Sequence, residues 1–182
     1  LRGFEREGRL DLTGEAVLGY RAPSFSFTTR SQWGPDVLLE LGFRYDSSIF
    51  PMHHDHYGIP DAPTVPYMLT TPNGAQLAEF PISVLRWRGL TIPVAGGGYF
   101  RLFPYALTRW ALRRINEARE PFVFYLHPWE VDPGQPRIAG AGFKSRFRHY
   151  QNLSRSESRL KQLLDDFAFV AMEDVLRHKG LL

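Results

Sequence analysis

Residues 121–130 constrain the fold more than any other part of the sequence. They begin as an uncharged run of β-branched, aromatic and aliphatic side chains and end in His127, Pro128, Trp129 and Glu130. Such a run is typical of a strand that is buried on both faces. In α/β sheets and barrels, functional side chains gather at the carboxyl ends of buried strands. The segment therefore predicts a buried strand with His127 at its functional end, and the alternative is a histidine that only caps the strand.

A strand, a helix and a second strand are predicted ahead of this segment. Residues 16–20 and 43–50 have strand-like composition, and between them residues 31–41 place apolar side chains on one helical face, with Gly42 as a natural stop. This unit indicates a parallel sheet. Arg21 follows the first strand, so it is predicted at a carboxyl end as His127 is. An ordinary surface arginine is the alternative.

The middle of the chain is rich in proline and glycine. Runs at 65–70, 78–84 and 90–94 predict short strands of an antiparallel insertion beside the main sheet. The glycines at 96–98 predict a tight bend that brings Tyr99 and Arg101 to a cleft. They are not a phosphate loop, because no Gly-Lys-Ser/Thr follows them.

Helices dominate the second half of the predicted structure. One helix is expected from Pro104 to Arg119, with Trp110 in the core. Another begins after Asn152 or Ser154, and residues 167–172 and 173–179 are expected to form a last strand and a closing helix. The apolar face of the second helix uses Leu160, Leu163, Leu164 and Phe167.

Composition excludes several classes of protein. The net charge of +3 over 182 residues, with scattered basic residues, argues against a nucleic-acid partner. The absence of cysteine excludes disulfides and thiolate metal sites. No apolar stretch is long enough to cross a bilayer.

One loop carries His53, His54, Asp55 and His56. The spacing of these residues fits no standard metal motif, so a substrate-contacting loop is favoured over a metal site.

Five motifs, in order along the chain, resemble those of polysaccharide deacetylases of the NodB-homology type. The resemblance points in particular to the subgroup linked to bacterial exopolysaccharide and exosortase gene clusters. The motifs are Gly-Tyr-Arg-Ala-Pro-Ser-Phe at 19–25, Gly-Phe-Arg-Tyr-Asp-Ser-Ser-Ile-Phe-Pro at 42–51, Tyr-Gly-Ile-Pro at 57–60, Val-Ala-Gly-Gly-Gly-Tyr-Phe-Arg at 94–101 and Phe-Tyr-Leu-His-Pro-Trp-Glu at 124–130.

The resemblance implies an α/β fold that is the C-terminal part of a distorted (β/α) barrel. Residues 1–132 would belong to the barrel, with the small antiparallel insertion. Residues 133–182 would form a C-terminal α/β extension of unknown function packed on it. The implied activity is the removal of N-acetyl groups from amino sugars in exopolysaccharide, with an amino-sugar polysaccharide as partner. The implied location is the cytoplasmic or periplasmic face of a bacterial cell, the cytoplasmic one being favoured.

The resemblance also implies roles for individual residues. In the family a divalent metal, zinc by expectation, polarises the amide, and an Asp is the general base. Here Arg21 would hold that base, His127 would protonate the leaving amine, and Asp46 lies near the position that orients this histidine. A groove at the carboxyl ends of the strands would bring Arg21 and His127 to a shared space. The implied substrate contacts are Pro23, Tyr57, Tyr99, Trp129 and Glu130.

The chain departs from the family before Arg21. The paired Asp motif and the His-x-x-x-His metal motif are expected there, but residues 1–20 contain no histidine. We therefore expect a fragment that binds no metal, is inactive alone and associates with itself through exposed sheet edges. One alternative is a non-catalytic carbohydrate-binding or polysaccharide-assembly protein. Another is that His53, His54 and His56 replace the missing ligands.

Overall fold

The structure is a computed structural model that describes residue 14 and residues 16–53, 57–138, 140 and 142–182, apart from the side chain of Lys144. It is a mixed α/β protein. The chain divides into two compact units: the first unit comprises Leu1–Ile82 with Ala171–Leu182, and the second comprises Ser83–Val170.

The first unit contains a four-stranded sheet with the order β1-β2-β4-β3. β1, β2 and β4 are parallel to one another, and β3 pairs antiparallel with β4. Helix α1 lies between β1 and β2, so the predicted strand–helix–strand unit and its parallel sheet are confirmed. The elements are β1 (Gly19–Tyr20), α1 (Gly34–Glu40), β2 (Tyr45–Asp46), β3 (Tyr67–Thr70) and β4 (Gln76–Glu79).

Gly42 ends α1, as the sequence predicts. Its φ of 82° lies in the left-handed region, which glycine adopts without a steric penalty. The N–H groups of Gly42 and Phe43 turn back to the carbonyls of Leu39 and Leu38, at 2.9 Å each. These bonds satisfy carbonyls at the end of the helix. The chain then enters β2, where Leu38, Phe43 and Leu77 form a small buried core.

The predicted run at 78–84 pairs antiparallel with β3 through residues 78–79, but the prediction that it lies beside the main sheet is wrong for these residues. β4 pairs in parallel with β2, with Tyr45 opposite Ala78 and Asp46 opposite Glu79, so it belongs to the main sheet. The sequence run predicted as one strand at 78–84 belongs to two strands. Its first residues lie in β4, and Val84 begins a separate strand in the second unit. Pro81 lies at this division and cannot donate a hydrogen bond to a neighbouring strand.

The second unit begins with an antiparallel hairpin of β5 (Val84–Trp87) and β6 (Leu90–Pro93). Arg88 and Gly89 both have positive φ, as a tight two-residue hairpin turn requires. Helices follow, and the predicted helix after Pro104 is confirmed. They are α2 (Gly97–Leu102), α3 (Tyr105–Glu117), a 3₁₀ turn (Pro128–Val131), α4 (Phe143–Tyr150) and α5 (Leu153–Asp166).

The segment at 121–126 is extended, but it is not the predicted strand buried on both faces. Only Tyr125 makes a β-bridge, parallel to Gly96. The N–H of Val123 is bound by the Ser83 hydroxyl at 2.8 Å. The run is apolar because it joins the core of the second unit. There the rings of Phe122 and Phe124 pack edge-on against Phe167 and Phe100.

The C-terminal region is helical. Leu163 and Phe167 face the core as predicted, but Leu164 is 55% exposed. The predicted last strand at 167–172 is wrong, because a strand needs a partner and the described residues offer none there. The closing helix is confirmed as α6 (Met172–His178), which belongs to the first unit and is followed by Gly180 at φ 69°. The expected C-terminal α/β extension therefore has no β-structure in residues 142–182.

The described residues show no closed barrel, so the barrel stays a prediction, as do the domain division at 132/133 and self-association. Among the helices that the structure describes, none combines the length and the apolar character needed to span a membrane.

Candidate functional site

Arg21 lies directly after β1, where the sequence places it. Its Nε donates to the Ser47 carbonyl at 2.9 Å and its Nη2 to the Ser47 hydroxyl at 2.8 Å. Ser47 follows β2, so the two parallel strands together fix the guanidinium. A fixed guanidinium can hold a carboxylate through two parallel hydrogen bonds.

The chain after Arg21 has an unusual backbone. Ser24 and Phe25 both have positive φ, at 55° and 50°, which costs about 1–3 kcal/mol per non-glycine residue. Pro23 is exposed, whereas the ring of Phe25 is buried and packs against Phe50 and Tyr57, with centroids 5.9 and 5.8 Å away. The predicted substrate contact Tyr57 thus belongs to an aromatic cluster with Phe25 and Phe50, and the other predicted contact, Pro23, lies two residues before Phe25 in the chain.

Asp46 and Glu79 form a buried acid pair between β2 and β4. They are opposite each other in the parallel register, and both are 0% exposed. The Ser48 hydroxyl donates to Asp46 Oδ1 at 2.6 Å, and it accepts a bond from the Ala22 N–H at 2.7 Å. The Ile49 N–H donates to Glu79 Oε1 at 3.0 Å. The acid pair therefore organises both loops that follow β1 and β2.

Burial favours the protonated form of both acids. Burial raises the pKa of Asp46. Burial and, next, the nearby charge of Asp46 raise the pKa of Glu79 well above its usual range. Asp46 Oδ2 and Glu79 Oε2 are buried without another partner among the described residues. A proton on Glu79 that is donated to Asp46 satisfies both oxygens. The predicted role of Asp46 in orienting a histidine stays a prediction.

Sequence reasoning did not identify Glu79. The available signal was a lone acid between Ala78 and Phe80 in an apolar strand. Such a residue is buried only when a partner neutralises it or when it takes up a proton.

His127 lies between the extended segment and the 3₁₀ turn, and its side chain is exposed. Its backbone is fixed by Glu130: the His127 N–H donates to Glu130 Oε2 at 3.0 Å, and the Glu130 N–H donates to the His127 carbonyl at 2.9 Å. The imidazole lies edge-on to Tyr125 and nearly parallel to Trp129, with centroids 6.1 Å away in both cases. This arrangement presents an imidazole to solvent from a rigid backbone.

Glu130 was assigned to substrate contact, but its side chain is buried. It is 2% exposed, and its Oε1 receives Nε and Nη2 of Arg101 at 3.2 and 3.1 Å. Arg101, expected at a cleft, is also 2% exposed. A carboxylate and a guanidinium that pair through two bonds can both leave the surface, because each satisfies the other.

Arg101 also holds the end of α4. Its Nη1 donates to the carbonyls of Arg148, His149 and Gln151 at 3.2, 2.9 and 3.2 Å. In return, the Asn152 side chain donates to the Arg101 carbonyl at 2.8 Å. One buried side chain thus connects α2, the 3₁₀ turn and the junction of α4 with α5.

The glycines at 96–98 allow this close packing instead of forming the expected bend. A Cβ atom on Gly97 would collide with the carboxyl group of Glu130, and one on Gly96 would collide with the Tyr125 ring. A Cβ on Gly98 would meet nothing within 4 Å. Gly97 is therefore required by the buried ion pair, and Gly98 is not.

Trp129 and Tyr99 remain candidate contacts. The Trp129 ring stacks on His149 with centroids 4.2 Å apart, and the Arg101 guanidinium lies 5.0 Å from the ring centroid. Trp129 borders an open depression of about 700 Å³, together with Phe143, which is 87% exposed. Tyr99 is half-buried on α2, and burial raises the pKa of its hydroxyl.

No group of three or more His, Cys, Asp or Glu side chains in the described part of the chain is arranged to hold a metal ion. His53 is exposed. His54, Asp55 and His56 lie outside the described residues, so the hypothesis that this loop supplies metal ligands stays untested.

The fold and these sites define a mixed α/β protein with an exposed histidine and an anchored arginine. The model of one protein family, described as "Domain of unknown function (DUF3473)", matches residues 47–177, and the chain therefore belongs to this family. The family is associated with exopolysaccharide-linked polysaccharide deacetylase proteins. No curated protein and no solved structure matches the chain. His127 and Trp129 lie inside the family match, whereas Arg21 and Asp46 precede it.

Proposed function

We propose that the chain is the C-terminal portion of a metal-dependent polysaccharide N-deacetylase that acts on amino sugars in exopolysaccharide. The association of its family with deacetylase proteins supports this proposal, as do the five ordered motifs. The observation that carries it is the position of His127, which is exposed on a rigid backbone at the end of an extended segment.

His127 acts as the general acid in this proposal. Amide hydrolysis releases an amine, which must take up a proton as the C–N bond breaks. Imidazole is the side chain most often used for such transfers near neutral pH. The reciprocal bonds between His127 and Glu130 fix the backbone from which the imidazole extends, so that less entropy is lost when the substrate arrives.

Arg21 positions the general base. Its anchoring to Ser47 leaves the guanidinium pre-oriented to hold a carboxylate. The base and the metal ligands are assigned to no residue of this chain. When bound, the divalent metal supplies a Lewis acid that polarises the amide and activates water.

Acetate release tests the proposal. The chain is expressed with the coding sequence that precedes it, loaded with zinc and given N-acetylated chitooligosaccharides. His127→Ala is expected to lower kcat by about 10²–10⁴-fold. His178→Ala, an exposed histidine on α6, serves as the matched control and retains activity. Full activity in His127→Ala, or no acetate release by the unmodified protein, would refute the assignment.

A non-catalytic carbohydrate-binding or assembly protein is the second candidate. The exposed Phe143 beside Trp129 favours it, because aromatic faces stack on sugars. Calorimetric titration with chitooligosaccharides, with and without zinc, separates the candidates. Binding that needs no metal, without acetate release, supports this second function. Zinc bound stoichiometrically by the 182-residue chain would instead support ligands from His53, His54 and His56.

A further inference from the structure

We propose that one face of α4 docks the second unit onto a membrane surface that carries anionic lipid headgroups. The face contains Phe143, which is 87% exposed, and Phe147, which is 52% exposed and lies about one helical turn further along. Side chains four residues apart lie on the same side of a helix. A stripe of exposed apolar side chains marks a surface that contacts a partner or a membrane.

A neighbouring segment extends this face. The Ile138 N–H donates to the Tyr150 hydroxyl at 2.9 Å, and the Arg137 guanidinium lies 5.0 Å from the centroid of the Tyr150 ring. Tyr150 is three residues beyond Phe147, so it lies on the same side of α4. Ile138, which is 66% exposed, is thereby held at the Tyr150 end of the stripe. The docking patch consists of Arg137, Ile138, Phe143, Arg146 and Phe147.

The charged residues around the docking patch are all basic. Residues 133–156 contain no acid and five basic residues, which are Arg137, Lys144, Arg146, Arg148 and Arg155. Arg137, Arg146 and Arg148 are exposed, and none of them forms an ion pair with a carboxylate in the part of the chain that the structure describes. Their positive potential therefore attracts anionic groups from outside the chain.

Apolar and cationic side chains on one face favour a lipid surface over other partners. At a bilayer interface, apolar side chains enter the acyl boundary while arginines contact anionic headgroups. An anionic polysaccharide would pair with the arginines, but it offers no apolar interior for Ile138 and the two phenylalanines. A second copy of the chain, docked through the same patch, would bring like charges together.

The docking patch is presented on a fixed helix. Arg101 donates to three carbonyls at the end of α4, so less order must be imposed when the patch meets a membrane. Membrane docking does not depend on the proposed deacetylase function, because the patch contains none of the residues assigned to catalysis.

Flotation of the 182-residue chain with lipid vesicles tests membrane docking. Vesicles of phosphatidylcholine mixed with phosphatidylglycerol are expected to bind the chain, and vesicles of phosphatidylcholine alone to bind it at least about 10-fold more weakly. Sodium chloride at about 0.5 M is expected to weaken binding, because it screens the arginines. Arg146→Gln is expected to weaken binding by about 5-fold. Arg114→Gln removes the same charge from an exposed site on α3 and leaves binding nearly unchanged.

Apolar variants test insertion of the rings. Phe143→Ala is expected to weaken binding to the mixed vesicles by about 5–10-fold, and adding Phe147→Ala weakens it further. Leu164→Ala, which removes a 55% exposed apolar side chain from α5, is the matched control and leaves binding unchanged. All three side chains are exposed, so the melting temperatures are expected to stay close to that of the unmodified chain.

Membrane docking is refuted if the mixed vesicles bind no better than phosphatidylcholine alone, or if Phe143→Ala and Leu164→Ala bind alike. Binding of chitotetraose or polygalacturonate through Phe143, without vesicle binding, assigns the patch to a sugar chain and refutes docking. A dimer in sedimentation equilibrium that Phe143→Ala dissociates, without vesicle binding, assigns the patch to a second copy instead. Vesicle binding without acetate release by the longer protein refutes only the proposed function.

Discussion

The two compact units each bury a glutamate, and they do so by opposite means. Glu130 in the second unit is 2% exposed and lies against the Arg101 guanidinium. Glu79 in the first unit is 0% exposed and lies against another acid, Asp46. Glu130 is accommodated as an anion beside a cation, whereas Glu79 is accommodated by holding a proton. The stability of the second unit therefore depends on the partner residue Arg101, whereas the stability of the first unit depends on pH.

Removal of Arg101 is expected to have the largest effect. Arg101→Met leaves the Glu130 carboxylate buried without a cation and removes the donor for three carbonyls. We expect a loss of about 3–5 kcal/mol in the free energy of unfolding of the second unit. Guanidinium unfolding followed by tryptophan fluorescence measures it, since Trp87, Trp110 and Trp129 lie in that unit.

Arg113→Met is the matched control for Arg101→Met. Arg113 pairs with Asp166 at 3.3 Å but is 50% exposed, so its loss is expected to cost at most about 1 kcal/mol. Equal losses of unfolding free energy in the two variants would show that burial does not increase the cost of breaking the ion pair between Arg101 and Glu130.

Alanine substitutions at two adjacent glycines are expected to have an effect of intermediate size on stability. Gly97→Ala pushes a methyl group into the Glu130 carboxyl, and we expect it to destabilise the second unit by about 1–3 kcal/mol. Gly98→Ala meets open space in the same helix, so it is expected to be neutral or to stabilise by up to about 1 kcal/mol. Thermal unfolding of both variants measures the difference, and a Gly97→Ala protein as stable as Gly98→Ala would contradict the packing described for α2.

Substitution in the acid pair is expected to change the free energy of unfolding least at neutral pH. It is also expected to change the dependence of that free energy on pH most clearly. The pKa of Glu79 is raised in the folded state, so the folded protein binds more protons than the unfolded chain above the usual range of glutamate. Stability therefore falls as pH rises from that range through the raised pKa. Glu79→Gln keeps the shape, can donate to Asp46 and is expected to flatten this fall. Denaturant unfolding between pH 5 and pH 9 measures it, and identical slopes for both proteins would contradict the protonation of Glu79 in the folded protein.

Local sequence signals predicted the local structure. Apolar spacing identified α1, α3 and α5, and Gly42 and Gly180 lie where helices end, at positive φ. Arg21 follows a parallel strand as expected, because chain direction in a strand–helix–strand unit fixes which strand ends meet. These features depend on residues that are close in sequence.

Contacts between distant residues could not be predicted in this way. Arg101 and Glu130 are 29 residues apart, and only their pairing explains why both are buried and why position 97 is glycine. The pairing of β4 with β2 likewise places Glu79 beside Asp46, although neither sequence segment reveals the other. The roles of Arg21 and His127 came from a family resemblance and stay predictions. His54 and His56 lie outside the described residues.

The bonds from Arg101 to the last carbonyls of α4 affect how this part of the second unit moves. α4 carries exposed Phe143 and Phe147, yet the carbonyls at its end accept hydrogen bonds from the Arg101 guanidinium, which is buried. The end of the helix cannot move away from Arg101 without breaking these three bonds, so we expect hydrogen exchange to show little local opening at the junction of α4 with α5.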